Sequence, residues 1–410
     1  MTIPSYEQIL ALAPDESSAK AGRDLATARK WVTLGFNEAA VWGECQGSGA
    51  KPYQTQIDLA DNSFKCSCPS RKFPCKHGLG LFLLLSKEEN AFTQKDQPHW
   101  VAERMEQRQA KQEKKAQKQA EKTSAPPDPI AQAKRLNERH AKVQSGLSDL
   151  DRFLQDLVRQ GIAQVQMESY AFWENQAKRL VDAQAPGLAR LIKQCAGTPS
   201  LGEGWQEKLL RQMGRIYLLA QAYNRIDELP ETMQADVRTA LGFTSSQDEL
   251  LTQEGITDRW LVVAQTVEQE ERLRMQRTWL VGKESGRHAV VFSFAHGTAP
   301  LDTSLLAGME IEAELVFFPS AFPLRALLKS KKEPAVPLSG FHGCATIEDA
   351  LDQYARALAA IPWAERVPLA LTNVVPLRQD DGSFAFRDER GALAPLAVSA
   401  SGSSYGTGST

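Results

Sequence analysis

The sequence predicts an α+β protein of several domains: a metal-binding N-terminal domain, a charged linker, a helical region and a mixed, mainly antiparallel α/β region. Three observations lead to this prediction. A length of 410 residues suits two or three domains, since a domain usually spans roughly 100–200 residues. Three of the six cysteines lie within ten positions of one another. The spacing of apolar residues changes from a helical period to a period of two near residue 255.

Residues 1–100 form the first predicted domain. Segments 39–45 and 53–59 are rich in β-forming side chains and flank a Gly/Ser turn, which predicts two strands, and a shorter strand is predicted at Phe64. A buried helix is predicted after His77. Its apolar residues are Leu79, Phe82, Leu83 and Leu85.

Residues 101–130 are predicted to be a charged linker. They are rich in Gln, Ala, Lys and Glu, and they contain too few large apolar side chains to build a core. Between residues 104 and 122, seven basic residues stand against three acidic ones, a net charge of +4. Six of the basic residues would share one side of a helix: Arg104, Arg108, Lys111, Lys115, Lys118 and Lys122.

Residues 131–245 are predicted to be a helical region, because three successive segments place apolar residues at helical spacing. The first face consists of Leu147, Leu150, Leu154, Leu157 and Val165. The second consists of Trp173, Ala177, Leu180, Leu188, Leu191 and Cys195, and the third of Trp205, Leu209, Met213, Ile216, Ala220 and Tyr223. Such faces must pack on one another, which predicts a small helical bundle.

Residues 255–398 are predicted to be a strand-rich α+β region. Alternation is strict over 309–315 and predicts one apolar and one solvated side, the latter with Glu310, Glu312 and Glu314. One helix begins after a capping pair, Thr346 and Asp349. Its predicted inward residues are Ile347, Leu351, Tyr354, Leu358 and Ile361. Residues 399–410 are Ser/Gly-rich and are predicted to be a flexible tail.

The cysteine cluster has the form C-x-C-x6-C-x-H, with Cys66, Cys68, Cys75 and His77 as candidate metal ligands. Three thiolates and one imidazole fill a tetrahedral shell, as structural zinc requires, whereas catalytic zinc keeps a position open. Cys66 and Cys68 point to the same side of an extended chain because side chains alternate there. The motif therefore predicts one structural Zn²⁺, although thiolate-rich sites also accept other soft metals.

The motif resembles the SWIM-type zinc finger. The Pro-Cys-Lys-His quartet at 74–77, the preceding strand pair and the following apolar helix are typical of that family. The stretch from Leu12 to Trp31 also resembles the start of bacterial SWIM-containing proteins. The resemblance covers residues 1–90, and it implies a ββα zinc fold with a role in binding DNA or proteins.

Four basic residues and no acidic one lie between Lys65 and His77. They are Lys65, Arg71, Lys72 and Lys76. One interpretation is contact with the phosphates of nucleic acid or with an acidic partner. The other is compensation of the negative charge that three thiolates leave around Zn²⁺. The sequence leaves both open.

No catalytic motif is evident. The phosphate loop and the H-E-x-x-H helix are absent. The G-x-S-x-G match at 402–406 lies in the Ser/Gly tail, without the strand and helix that a nucleophile elbow needs. We therefore expect no enzymatic activity. A third alternative is an enzyme whose active site lies in residues 131–400 and has no recognisable sequence motif.

These patterns together predict a zinc-ion-binding protein that acts as an adaptor for protein partners. The alternative is a DNA- or RNA-binding protein that uses the finger and the basic linker. No small-molecule substrate is evident. Residues 1–10 lack a signal-peptide layout, and no apolar run approaches the roughly 20 residues that span a bilayer. We therefore expect a cytoplasmic protein without membrane contact.

Overall fold

The computed structural model describes residues 3–47, 51–60, 62–108, 110, 129–270, 273–297, 299, 301–332, 335–340 and 343–396. The linker residues Lys111, Lys115, Lys118 and Lys122 and the tail 399–410 lie outside the described residues. In the part of the chain that is described, no helix is long and apolar enough to cross a membrane.

The N-terminal domain is a five-stranded sheet with three helices on one face. The strands are β1 (Trp31–Phe36), β2 (Ala40–Cys45), β3 (Tyr53–Asp58), β4 (Ser63–Cys66) and β5 (Thr93–Gln94), in the order β4-β3-β2-β1-β5. The helices are α1 (Tyr6–Ala11), α2 (Glu16–Leu25) and α3 (Lys76–Lys87). The predicted strands at 39–45, 53–59 and Phe64 and the predicted buried helix are confirmed. Nearly every residue of α3 from His77 to Leu85 is buried, because α2 packs on one side and the sheet on another.

A further helix, α4 (99–108), covers the opposite face of this sheet. Val101 is fully buried there against Ala40 and Trp42. Arg108 donates to the carboxylate of Asp58, which lies at the end of β3. Residues 101–108, the start of the predicted linker, therefore pack on the N-terminal domain.

The second unit is a helical bundle. It contains α5 (Pro129–Gln160), α6 (Tyr170–Asp182), α7 (Pro186–Cys195), α8 (Trp205–Asn224) and α9 (Glu231–Leu241). The three predicted apolar faces meet in one core, and of the predicted residues all but Leu191, which is partly buried, are buried there. The predicted helical region is confirmed, and its core is built from the residues that the helical spacing selects.

The C-terminal region begins with the short helix α10 (Gln247–Leu251) and a strongly curved sheet. Its main strands are β6 (Ile256–Glu270), β7 (Leu273–Gly282), β8 (His288–His296), β9 (Met309–Phe317) and β10 (Ala326–Lys331), in the order β10-β9-β6-β7-β8. A short strand, β11 (Val336–Pro337), also pairs with β9. These pairs are antiparallel, as predicted for this region.

Two details of the C-terminal region differ from the sequence-based expectations. Glu310 lies on the outer side of β9 but is only 2% exposed at its side chain, because Arg259 and Lys283 cover it with an ion pair each. Thr346 caps α11 (Ile347–Ala360) as predicted. The predicted inward face of that helix is wrong at two of its five residues: Leu351 is 55% exposed and Tyr354 is also exposed. The other three, Ile347, Leu358 and Ile361, are half-buried. The small residues Ala350 and Ala357 are buried instead, since close approach to the helix favours small side chains.

The chain ends with a separate three-stranded antiparallel sheet of β12 (Val375–Arg378), β13 (Phe384–Arg387) and β14 (Leu393–Leu396). The units contact one another through polar groups. Gln8 donates to the carbonyl of Ala307 at 3.1 Å, which connects α1 to the curved sheet. Arg215 on α8 donates to the carbonyls of Trp363 and Ala364 at 2.9 Å, which connects the bundle to the segment after α11.

Candidate metal centre

The four predicted ligands converge on one point between the β3–β4 hairpin and the start of α3. Cys66 is the last residue of β4, where it pairs with Thr55 of β3. Cys68 follows in the loop. Cys75 is the N-cap of α3, and His77 lies in the first turn of that helix. The hairpin therefore supplies the first two ligands and the helix start supplies the other two.

The geometry of the cluster fits a tetrahedral zinc ion. The ligand atoms of Cys66, Cys68, Cys75 and His77 all lie within 4.8 Å of one another. The Sγ atom of Cys66 lies 3.8 Å from Nδ1 of His77. With Zn–S bonds of about 2.3 Å and a Zn–N bond of about 2.0 Å, a closed tetrahedron has ligand–ligand edges of about 3.6–3.8 Å. A small contraction of the described arrangement therefore completes the shell.

Hydrogen bonds already stabilise negative charge on two of the sulfur atoms. The backbone N–H of Cys68 points to the sulfur of Cys66 at 3.5 Å, and the Thr55 hydroxyl lies 3.3 Å from the same sulfur. The N–H of Gly78 points to the sulfur of Cys75, also at 3.5 Å. Cys75 additionally benefits from the positive end of the α3 dipole.

The three thiols are electrostatically coupled. Hydrogen bonding from Cys75 lowers the pKa of Cys66 to about 3, with further support from His77 and Thr55. The same interaction raises the pKa of Cys75, and burial raises the pKa of Cys68. A divalent ion is what allows all three to ionise together.

The packing around the cluster fixes the imidazole. His77 is buried, and the Tyr53 ring lies 4.8 Å from it, centroid to centroid. Gly78 brings the start of α3 against Phe64, since a Cβ at this position would lie 2.9 Å from the Phe64 ring. Neither Tyr53 nor Thr55 was singled out from the sequence. Thr55 lies opposite Cys66 in the β3–β4 pair and Tyr53 lies two residues earlier on the same side of β3, and this placement is the signal that could have identified them.

The four predicted contact residues are all exposed and surround the cluster unequally. Lys72 forms an ion pair with Asp15 at 2.8 Å and donates to Ser17 at 3.0 Å. The interaction with Lys72 holds the pKa of Asp15 well below its usual range. Of these four residues, Lys65, Arg71 and Lys76 make no ion pair with any described residue. The other buried cysteines, Cys45 and Cys195, lie in the two apolar cores.

This arrangement defines a protein with a structural zinc finger, because four protein donors close the coordination shell. Comparison with known families agrees. Residues 53–86 match the SWIM zinc finger, and residues 138–241 match the SWIM-associated four-helix bundle domain. The chain thus contains a SWIM-type zinc finger and a SWIM-associated helical bundle, and the four ligands of the finger fit a single structural zinc ion. No curated protein and no solved structure matches the chain significantly.

The two family matches extend beyond the sequence-based resemblance. That resemblance covered residues 1–90, whereas the second match lies in the bundle. This chain therefore carries both the zinc finger and the bundle domain that is described as SWIM-associated. The strand-rich region after the bundle is outside both matches.

Proposed function

We propose that this zinc-binding chain is an adaptor for protein partners, in which the finger is a structural module and the bundle offers a docking surface. The supporting observation is an apolar stripe on α8. Leu210, Tyr217 and Leu218 are 49%, 45% and 46% exposed. Their spacing of seven and eight residues places them on one side of the helix.

The stripe is open to an incoming helix. Gly214 lies between its members, and a Cβ at this position would meet nothing within 4 Å. The core-forming side of α8 is a different one, built by residues such as Met213 and Ile216. An amphipathic helix of a partner is the natural occupant, because apolar side chains at helical spacing fit such a surface.

Zinc contributes to this function by holding the finger together. A bound ion would link the β3–β4 hairpin to α3 and so fix residues 53–86. We propose no catalysis at the metal, since all four coordination positions belong to the protein. We also propose a cytoplasmic location, where reducing conditions keep the three cysteines available as ligands.

Affinity capture with the full, zinc-loaded chain tests the adaptor proposal. The test variant is the double substitution Leu210→Ser with Leu218→Ser. The matched control is Leu201→Ser, another exposed leucine of the bundle that lies outside α8. We expect a stoichiometric protein partner with the wild type and the control, and its loss with the double variant. A partner that binds the double variant equally well would contradict the proposal.

The second candidate function is binding of nucleic acid by the finger. It is supported by the three exposed cations without an ion pair, Lys65, Arg71 and Lys76. Replacing all three by Ala should weaken binding to duplex DNA and lower the slope of log affinity against log salt by about 0.9 for each phosphate that the variant no longer neutralises. Lys72→Ala is the control, because Lys72 is already paired with Asp15. Equal binding by the triple variant would exclude this candidate.

A further inference from the structure

The five main C-terminal strands close into a barrel. The first part of β6 pairs with β9 and the second part with β7, and the partners change around a bulge between Val262 and Ala264. At the other edge β8 lies parallel to the start of β10. The N–H of Val290 donates to the carbonyl of Leu324 at 2.7 Å, and Val290 forms a bridge with Arg325.

This connectivity is that of an oligonucleotide/oligosaccharide-binding barrel. In such a barrel the first three strands form a meander, the fourth strand pairs with the first, and the fifth strand closes the barrel against the third. The outer face of the second and third strands is the usual ligand surface. Here those strands are β7 and β8.

The outer face of β7 and β8 presents aromatic rings beside an arginine. Arg277 is paired across the strands with Phe292, and Met275 with Phe294. The Phe292 and Phe294 rings lie 6.3 Å apart and are nearly parallel, at 16°. Phe294 is 54% exposed. A large ring held at this exposure on a strand offers a stacking face to solvent rather than to the core.

The charge on this face is not balanced. Arg277 and Arg366 both pair with Glu268 at 2.6 Å. Arg325 is held 4.2 Å from the centre of the Phe318 ring and 5.7 Å from that of Phe292. In the described part of the chain it has no carboxylate partner. Of these three arginines, two share Glu268 and Arg325 pairs with no described carboxylate.

Two further acidic groups lie at the same place and do not pair with Arg325. A cavity of about 310 Å³ separates the face from α9 and from the segment after α11, and Glu365 and Asp236 are among its lining residues. Glu365 is paired with Arg190 of the bundle. Asp236 accepts the N–H of Ala321 at 2.7 Å, and burial raises its pKa. The face therefore keeps a surplus of positive charge next to its rings.

We propose that the outer face of β7 and β8 binds a single-stranded polynucleotide, with bases stacking on Phe294 and Phe292 and a phosphate contacting Arg325. Such a face suits unpaired bases, because every base offers a π face to an aromatic ring and each nucleotide adds one negative charge. A duplex keeps its bases stacked internally. The proposal uses none of the finger residues and goes beyond the adaptor function.

The test is fluorescence anisotropy of labelled 15-nucleotide oligo(dT) and oligo(U) with the full, zinc-loaded protein at low and moderate salt. The decisive variant is Phe294→Leu, which keeps apolar bulk but removes the ring face. We expect it to weaken binding about 5- to 100-fold. Phe294→Tyr keeps a ring and should restore binding. Phe384→Leu is the matched control, since Phe384 is an exposed phenylalanine on the separate strand β13.

A charge variant provides an independent test of the phosphate contact. Arg325→Gln should lower the slope of log affinity against log salt by about 0.7, the amount expected for one phosphate contact on a single strand. Four outcomes would overturn the proposal: no single-strand binding at low salt, equal binding by Phe294→Leu, equally weakened binding by Phe384→Leu, or binding that only the finger variants abolish. If this face instead captures a protein in a manner that needs Phe294, while oligonucleotides do not bind, the surface is a protein interface and the proposal is wrong.

Discussion

Gly80→Ala is expected to destabilise the N-terminal domain by separating α2 from α3. A Cβ at Gly80 would lie 2.6 Å from the Cβ of Leu25 and 3.3 Å from the carbonyl oxygen of Gly22. Neither of these atoms can rotate away, because both are fixed by the α2 backbone. The helices must therefore move apart by most of an ångström. Since α3 contains His77 and is capped by Cys75, this movement also reaches the metal ligands.

The magnitude follows from two opposing effects. Overpacking of a close helix contact costs about 1–3 kcal/mol. Alanine gains about 1 kcal/mol over glycine in helix propensity. We therefore expect a net loss of up to about 2 kcal/mol. Gly214→Ala in α8 is the matched control: it is the same substitution in a helix, but it meets nothing within 4 Å. That variant should gain about 1 kcal/mol.

Hydrogen exchange resolved by segment is the suitable assay, because a chain of several domains does not unfold in one step. Amides of α3 should exchange up to about 30-fold faster in Gly80→Ala, the equivalent of up to about 2 kcal/mol. Amides of α8 should exchange more slowly in Gly214→Ala. Equal stabilisation by both substitutions would refute the inference that α2 and α3 cross in direct backbone contact.

Three more results are expected. Cys75→Ser should abolish stoichiometric zinc binding and the hydrogen-exchange protection of the finger, although serine is a good N-cap. The control Cys45→Ala should keep the zinc and lose about 1 kcal/mol of stability to a small cavity. Zinc retained by Cys75→Ser in native mass spectrometry would contradict the account. Burial alone would raise the pKa of Asp258, but hydrogen bonds from Ser285 and nearby N–H groups lower this pKa below its usual value. The stability that the Asp258 carboxylate contributes should therefore be constant above about pH 5 and fall below about pH 4. In Asp258→Asn this part of the acid dependence, measured by urea unfolding, should disappear. Glu310→Ala removes the nearly buried carboxylate on β9 that pairs with Arg259 and Lys283, and it should destabilise the barrel by about 2 kcal/mol. Unchanged stability in thermal unfolding would be inconsistent with this ion-pair network.

The metal ligands and the bundle core were predictable because each depends on local spacing. Cys66, Cys68, Cys75 and His77 follow a short motif, and a helix or strand converts such spacing directly into a shared side. The same holds for the apolar faces of α5, α6, α7 and α8, which form the bundle core.

Features that depend on contacts between distant segments were not predictable in this way. The side of α11 that faces inward is chosen by close packing, so Ala350 and Ala357 are buried where the apolar pattern favours Leu351 and Tyr354. Glu310 is covered because Arg259 and Lys283 reach it from β6 and the β7–β8 turn. No pattern within β9 contains that information. The closing contact of the barrel, between β8 and β10, is equally non-local.

The most direct test of the account is the metal content of the purified, reduced protein, followed by hydrogen exchange before and after zinc chelation. The account predicts one zinc per chain, and on chelation a loss of protection over residues 53–86 with little change over residues 138–241. A folded, reduced protein that contains no metal, or one whose finger keeps its protection after the metal is removed, would contradict the central claim that Cys66, Cys68, Cys75 and His77 form a structural zinc centre.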